Sequence, residues 1–181
     1  RPLISFVGRM SFQKGLDVLM DSMDSFEGDP GFDLAIAGKG ELSDWLEDRL
    51  SSSRAKEHIS ILGLVSDSEK RWIYENSDCI VIPSRFEGLP TVMLEAMHSG
   101  TPVIMADVNG LGAMVEGHGC GLSVPPEDPH SLARAMTEAA NSDPETSSSW
   151  GSSGKEASKE YQWDRVTDRV LEVYRRVIGN V

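Results

Sequence analysis

The chain has 181 residues, 39% of them hydrophobic, with 17 Lys and Arg against 29 Asp and Glu and a formal net charge of −12. That length and apolar content suit one domain with one sizeable core. The acidity argues against a general nucleic-acid binder, which needs a basic face for the phosphate backbone, and against unaided docking on an anionic membrane surface.

Leu3–Val7 reads as a buried strand ended by Gly8. Arg9 and Lys14 follow at once, and Leu16, Val18, Leu19, Met20 and Met23 then recur near helical spacing. Asp33–Ala37 is a second strand, leading through Gly38-Lys-Gly40 into a helix over 41–50 with Leu42, Trp45, Leu46 and Leu50 on one face. A third strand covers 59–62. Ser66, with Glu69 three residues on, forms a capping box for a helix reaching about Asn76. A fourth strand over 78–82 ends at Pro83. A polar loop carrying Glu87, Gly88 and Leu89 then feeds an apolar helix over 91–97, closed by Gly100. Val103-Ile-Met105 is the fifth strand. A glycine-rich stretch with a short helix near 111–116 precedes a sixth strand over 122–124. Asp128 caps the next helix, which has Leu132, Ala135, Met136 and Ala139 on its apolar side. The stretch 141–158 is rich in Ser and Gly and reads as a loop or a poorly ordered helix. The last element is an amphipathic helix over 163–177 with Val166, Val170, Val173, Tyr174 and Val177 on one side.

Strands and helices alternate throughout. That predicts an α/β, Rossmann-like parallel sheet of about six strands with helices on both faces. The chain opens on a core strand without an initiator Met or a targeting segment, so it is expected to be a domain excised from a longer protein. No run of 18 apolar residues predicts a membrane span. Cys79 and Cys120 stand far apart in sequence and are expected to be reduced thiols in a cytoplasmic setting.

In a parallel sheet, ligands bind at the loops after the carboxyl ends of strands. Three such loops carry candidate chemistry. Arg9 and Lys14 follow the first strand at the start of a helix, an arrangement suited to a diphosphate; spacing alone also fits two solvated surface cations. Glu87 and Glu95 sit in the fourth strand's loop and in the helix it feeds. They suit either a catalytic carboxylate pair or acceptors for ligand hydroxyls, or are two unrelated surface acids. Gly38-Lys-Gly-Glu-Leu-Ser43 approaches a dinucleotide-binding turn, but Ser43 occupies the third glycine position and the motif follows the second strand, so a nicotinamide or flavin site is disfavoured. The four histidines show no metal-ligand spacing, no Asp-x-Asp is present, and there is no nucleophile elbow. Gly8-Arg9 replaces the acids that a flavodoxin-like receiver needs after strand 1.

Taken together, Phe6-Val-Gly-Arg9…Lys14-Gly15, Ile36-Ala-Gly-Lys-Gly40, Glu87-Gly-Leu-Pro-Thr91 and Glu95-Ala-Met-His-Ser-Gly-Thr-Pro-Val-Ile104 resemble the donor-binding half of family-4 (group 1) retaining glycosyltransferases of the GT-B fold. The resemblance runs from about residue 3 to 140, and more loosely through the terminal helix. It implies a nucleoside diphosphate sugar as donor, no cofactor and no metal. Arg9 and Lys14 would neutralise the donor diphosphate, Glu95 would hold the ribose hydroxyls, and Glu87 would contact the transferred sugar and stabilise charge at its anomeric carbon. Backbone N–H groups around Leu89, Thr91 and Val92 would approach the phosphates. Leu64 would lie along the nucleobase, Gly38 and Gly40 would keep a strand-end loop close to the cleft, and Gly8 and Gly88 would be among the donor-binding residues. The acceptor, a glycan, lipid or small hydroxyl compound, would belong to an N-terminal domain absent from this chain, towards which the last helix would reach. Any membrane contact would be peripheral and made elsewhere in the full-length protein.

Two departures from the family pattern stand out. Pro90 has no N–H where many members offer one, leaving Leu89 and Thr91 to supply it. Ala113 stands where many members carry Glu. A non-catalytic nucleotide-sugar-binding module and a GT-B-type sugar-nucleotide 2-epimerase remain alternatives, although no acid/base set for the latter is visible.

Overall fold

Short apolar runs closed by glycine or proline become six parallel strands in the computed structural model, which describes residues 1–179. The strands are β1 (Leu3–Val7), β2 (Asp33–Ala37), β3 (Ile59–Gly63), β4 (Cys79–Ile82), β5 (Val103–Ala106) and β6 (Gly121–Val124). Every pairing is parallel, and the order across the sheet is β3-β2-β1-β4-β5-β6. The four central strands are almost wholly buried, as expected when helices cover both faces of a parallel sheet.

The two-residue period of the strands divides the core into two layers. Ile4, Phe6, Leu34, Ile36, Val81 and Ile104 face one side. That layer takes α1 (Leu16–Asp24), α2 (Ser43–Ser52) and α6 (Pro129–Ala140), through Leu16, Leu19, Met20, Met23, Leu46, Leu132 and Met136. Val7, Ile80, Ile82, Val103 and Met105 face the other side. There they meet α3 (Asp67–Asn76), α4 (Thr91–Ser99), α5 (Leu111–Gly117) and α7 (Pro144–Ser158).

Local signals set the element ends. Ser66 and Glu69 form the reciprocal capping box of α3, and the Asp128 carboxylate accepts from Ser131 N at 3.0 Å at the head of α6. Gly100 closes α4 in the left-handed region (φ 81°), where a side chain would be strained. Cys79 and Cys120 are both free and buried, and burial pushes both thiols upward in pKa.

The stretch 141–158 departs from expectation. Instead of a loop or poorly ordered helix, it forms α7, whose N-cap Asp143 accepts from the amides of Glu145 and Thr146. The small residues that lower its helix propensity let it approach α4 closely. A Cβ on Gly151 would lie 2.3 Å from the Gly100 carbonyl oxygen, and one on Gly154 would touch Met97 Cα and Cys120 Cβ at 3.4 Å. Glycine costs a helix about 1 kcal/mol relative to alanine, and here backbone-to-backbone packing offsets that cost.

The last helix, α8 (Trp163–Ile178), buries none of its residues, and its stripe of Val170, Val173, Tyr174 and Val177 faces solvent. Among the described residues, no helix is long and apolar enough to cross a membrane.

The strand order reverses between β1 and β4. The chain leaves β1 towards one side of the sheet and β4 towards the other, which makes this the switch point at whose crevice ligands bind in open parallel sheets. The candidate residues gather around that crevice.

Candidate functional site at the strand-order reversal

Glycine sets the floor of the crevice by allowing loops to touch through their backbones. Gly8 N donates to Ala37 O at 3.0 Å, Gly38 N to Gly63 O at 2.7 Å, and Met10 N to Lys39 O at 3.1 Å, which laces together the loops after β1, β2 and β3. Gly38 has φ 138°, and a Cβ there would lie 1.8 Å from the Gly8 carbonyl oxygen. A Cβ on Gly40 would lie 2.3 Å from Met10 O. Both glycines therefore act by close approach to the loop that carries Arg9. Leu64, just after β3, is 78% exposed at the same edge of the sheet.

The loops after β1 and β4 clasp each other across the crevice. Lys14 Nζ donates to Glu87 Oε1 at 2.5 Å, and Ser84 Oγ donates to the same oxygen at 2.8 Å. Glu87 is only 8% exposed, and its backbone carbonyl accepts from Asn109 Nδ2 at 2.7 Å. Asn109 itself has φ 54°, a conformation Asn tolerates better than most residues. Gln13 Nε2 donates to Phe86 O, and Arg85 N to Gln13 O. Arg9 is exposed and makes no side-chain hydrogen bond or ion pair among the described residues. The expected pair of diphosphate cations is thus one open cation and one already held by a buried carboxylate.

The helix ends differ from expectation in one respect. Residues Phe12–Lys14 form a 3-10 turn that uses the Lys14 and Gly15 amides, and α1 starts at Leu16. In α4, the helical ladder starts with Met93 N donating to Pro90 O, so the amides of Thr91 and Val92 point out of the N-terminus. Pro90 is the N-cap, where its missing N–H costs nothing. Gly88 and Leu89 are exposed in the loop before it.

Arg85 anchors this loop and was not among the residues singled out by the motifs. Its guanidinium bonds both Asp17 oxygens (2.8 and 2.6 Å), Glu127 Oε1 (2.9 Å) and Phe12 O (2.8 Å), and stacks 3.9 Å from the Phe12 ring centroid. The Arg85 hydrogen bonds hold the Asp17 carboxyl below the usual carboxylate range, with partial burial opposing them. A depressed folded-state pKa contributes stability that is present above the unfolded value and lost as pH falls through the folded one. Arg85→Met is therefore expected to be less stable than the wild type at pH 7, with the gap narrowing below about pH 4. Urea unfolding at pH 7, 5 and 3 checks this; an equal gap at all three would remove the linkage.

Glu95 lies one turn into α4, with its carboxylate turned towards α3. Lys70 Nζ donates to Oε1 at 3.0 Å and Tyr74 OH to Oε2 at 2.7 Å. Burial, then the bond to Glu95, pushes the Tyr74 hydroxyl pKa upward. Each of the two acids thus has its own cation: Lys14 for Glu87 and Lys70 for Glu95. Ser84, Arg85, Lys70, Tyr74 and Asn109 were not singled out from sequence. Only Lys70 and Tyr74 carried a usable signal, their i, i+4 spacing on one face of a capped helix. Ala113 gives its amide to the Asp107 carboxylate at 3.2 Å. No group of three metal-binding side chains occurs among the described residues.

Comparison with known proteins places these features. Residues 1–157 match the family model of the Glycosyl transferases group 1. An uncharacterized glycosyltransferase of Methanocaldococcus jannaschii is 31% identical over 180 residues, covering 96% of this chain and 44% of that protein. A glycogen synthase of Mycobacterium tuberculosis is 27% identical over 93% of this chain and 41% of its own length. The chain thus spans less than half the length of these curated relatives. Among solved structures, sucrose-phosphate synthase from Thermosynechococcus elongatus superposes with a TM-score of 0.84 at 25% identity, over 99% of this chain and 46% of that one. HepE of Anabaena, solved in complex with UDP, superposes with a TM-score of 0.80 at 20% identity, over 96% of this chain and 48% of its own. The chain belongs to the group 1 glycosyl transferases, and its Rossmann-like sheet is that of one half of a GT-B enzyme.

Proposed function

We propose that this chain is the nucleotide-sugar-binding, C-terminal domain of a retaining, metal-independent hexosyltransferase. The observation that carries the reading is the meeting of Lys14 and Glu87 from the loops on either side of the strand-order reversal, with Glu87 in the loop that leads into the head of α4, where the ladder leaves the amides of Thr91 and Val92 unused. In a crevice at the carboxyl edge of a parallel sheet, that set offers a cation, a helix N-terminus and a carboxylate to one ligand.

In this reading the donor diphosphate lies against Arg9, Lys14 and the head of α4. As the glycosidic bond breaks, negative charge grows on the leaving diphosphate, and fixed positive groups there lower the barrier. Glu87, held by Ser84 and Lys14, faces the sugar, where it bonds hydroxyls and stabilises positive charge at the anomeric carbon. Glu95 accepts from the ribose hydroxyls, and Leu64 covers the base. The charge work a metal does in other sugar-nucleotide sites falls to these side chains and amides. The hydroxyl acceptor and the remaining catalytic groups belong to an N-terminal domain, so this chain alone binds donor weakly and transfers nothing. The full protein acts in the cytoplasm. The UDP carried by the HepE structure supports a nucleoside diphosphate as the ligand class.

Calorimetric titration with UDP, GDP and ADP and their sugars tests the reading. One base is expected to bind, with Arg9→Ala and Glu95→Ala each weakening it about tenfold, the worth of a charge-assisted hydrogen bond. Binding of none would end the reading, and sugar transfer by this chain alone would end the division of labour.

A further inference from the structure

We propose that Lys70 and Tyr74 are positioning residues that turn Glu95 into a reader of a vicinal diol, so that this site selects ribonucleoside over deoxyribonucleoside diphosphates. The inference rests on Glu95 being the ribose acceptor.

The argument starts from the lone pairs of one carboxylate. An ionised carboxylate offers about four acceptor sites, two on each oxygen. Lys70 takes one on Oε1 and Tyr74 takes one on Oε2. Each oxygen therefore keeps one acceptor site, so the carboxylate can still accept from two hydroxyls at once. Two neighbouring hydroxyls of a five-membered ring supply one donor for each oxygen. A single donor shared by both oxygens would leave the carboxylate free to rotate; two donors on different oxygens, both from α3, fix its plane.

The donors are themselves held. Tyr74 is 3% exposed and packs in the apolar layer under α3. Its backbone carbonyl accepts from the buried Thr101 Oγ1 at 2.5 Å, tying that turn of α3 to the chain after α4. Lys70 sits one turn nearer the capped start of α3, with its ammonium 3.9 Å from Asp67 as well as 3.0 Å from Glu95. The Glu95 side chain is 37% exposed and borders a groove of about 440 Å³ between α3, α4 and α7, with Lys70, Tyr74, His98 and Lys155 also on its walls. Lys70 and Tyr74 thus take one acceptor site on each oxygen, and the exposed part of the carboxylate is left to a ligand.

The test compares ribonucleoside diphosphates with their 2′-deoxy counterparts by calorimetry, using whichever of UDP, GDP or ADP the wild type binds. The wild type is expected to prefer the ribo form by about tenfold, one hydrogen bond to a charged acceptor. Tyr74→Phe and Lys70→Met are each expected to bring that preference below about threefold while binding the deoxy ligand as the wild type does, a pattern that a general loosening of the fold would not give. Lys70→Arg is expected to keep the preference, since it restores a donor. Full preference retained in both Tyr74→Phe and Lys70→Met, together with its loss in Glu95→Gln, would overturn the positioning role and leave Glu95 as the ribose acceptor. Full preference retained in Glu95→Gln would overturn the ribose assignment, and the inference with it.

Discussion

Gly38→Ala is expected to lower the urea unfolding midpoint sharply, with little change in slope. Two costs act at one atom. The backbone has φ 138°, where an L side chain is strained by about 1–3 kcal/mol. The new Cβ would also stand 1.8 Å from the Gly8 carbonyl oxygen, so the β1 and β2 loops must part, at a further cost of about 1–3 kcal/mol. A loss near ~4 kcal/mol is a large share of the ~5–15 kcal/mol that holds a domain together. Gly88→Ala is the control: a Cβ there meets nothing within 4 Å, and the expected change is under about 0.5 kcal/mol. A wild-type midpoint for Gly38→Ala would show that the loops after β1 and β2 are free to move apart.

Lys14→Met is expected to damage stability and ligand binding through separate routes. In the free protein it strands the Glu87 carboxylate, 8% exposed, with Ser84 Oγ as its remaining side-chain donor. Leaving a buried charged acceptor short of a partner costs about 1–3 kcal/mol. In the proposed function it also removes a cation from the diphosphate, which weakens donor binding by about ten- to hundredfold. The double variant Lys14→Met/Glu87→Gln separates the two. Glutamine removes the buried charge, so most of the lost stability is expected to return, while donor affinity stays low. Unfolding and calorimetry on the two variants give both readouts. Recovered affinity in the double variant would mean that Lys14 serves only to neutralise Glu87.

The fold was legible because its signals are local. Apolar runs such as Cys79-Ile-Val-Ile82 end at Pro83, and Ser66 with Glu69 closes a capping box; neighbours in the chain decide both. The helix at Pro144–Ser158 was not legible for the same reason. Its Ser and Gly content opposes helix locally, and only contact with Gly100 and Met97 reverses the balance. The site divides in the same way. Arg9, Lys14, Glu87 and Glu95 stood out because they follow strands or form a spaced pair in one loop and helix. Ser84, Arg85 and Asn109 did not, because their meaning lies in partners far along the chain: Arg85 reaches Asp17 and Glu127, and Asn109 reaches Glu87.

The sequence by itself determined which residues form strands, where most helices lie, and which loops carry charge, because those depend on periodicity, capping and glycine over a few residues. The tertiary structure alone decided who faces whom. Lys14 and Glu87 are 73 positions apart, and Lys70 and Glu95 are 25 apart. Each pair is made by the sheet order, which brings β1 beside β4, or by the packing of α3 on α4. Side-chain identity supplied the charges. The strand-order reversal brought Lys14 to Glu87, and the packing of α3 on α4 brought Lys70 to Glu95, turning separate cations and acids into two partnered sets.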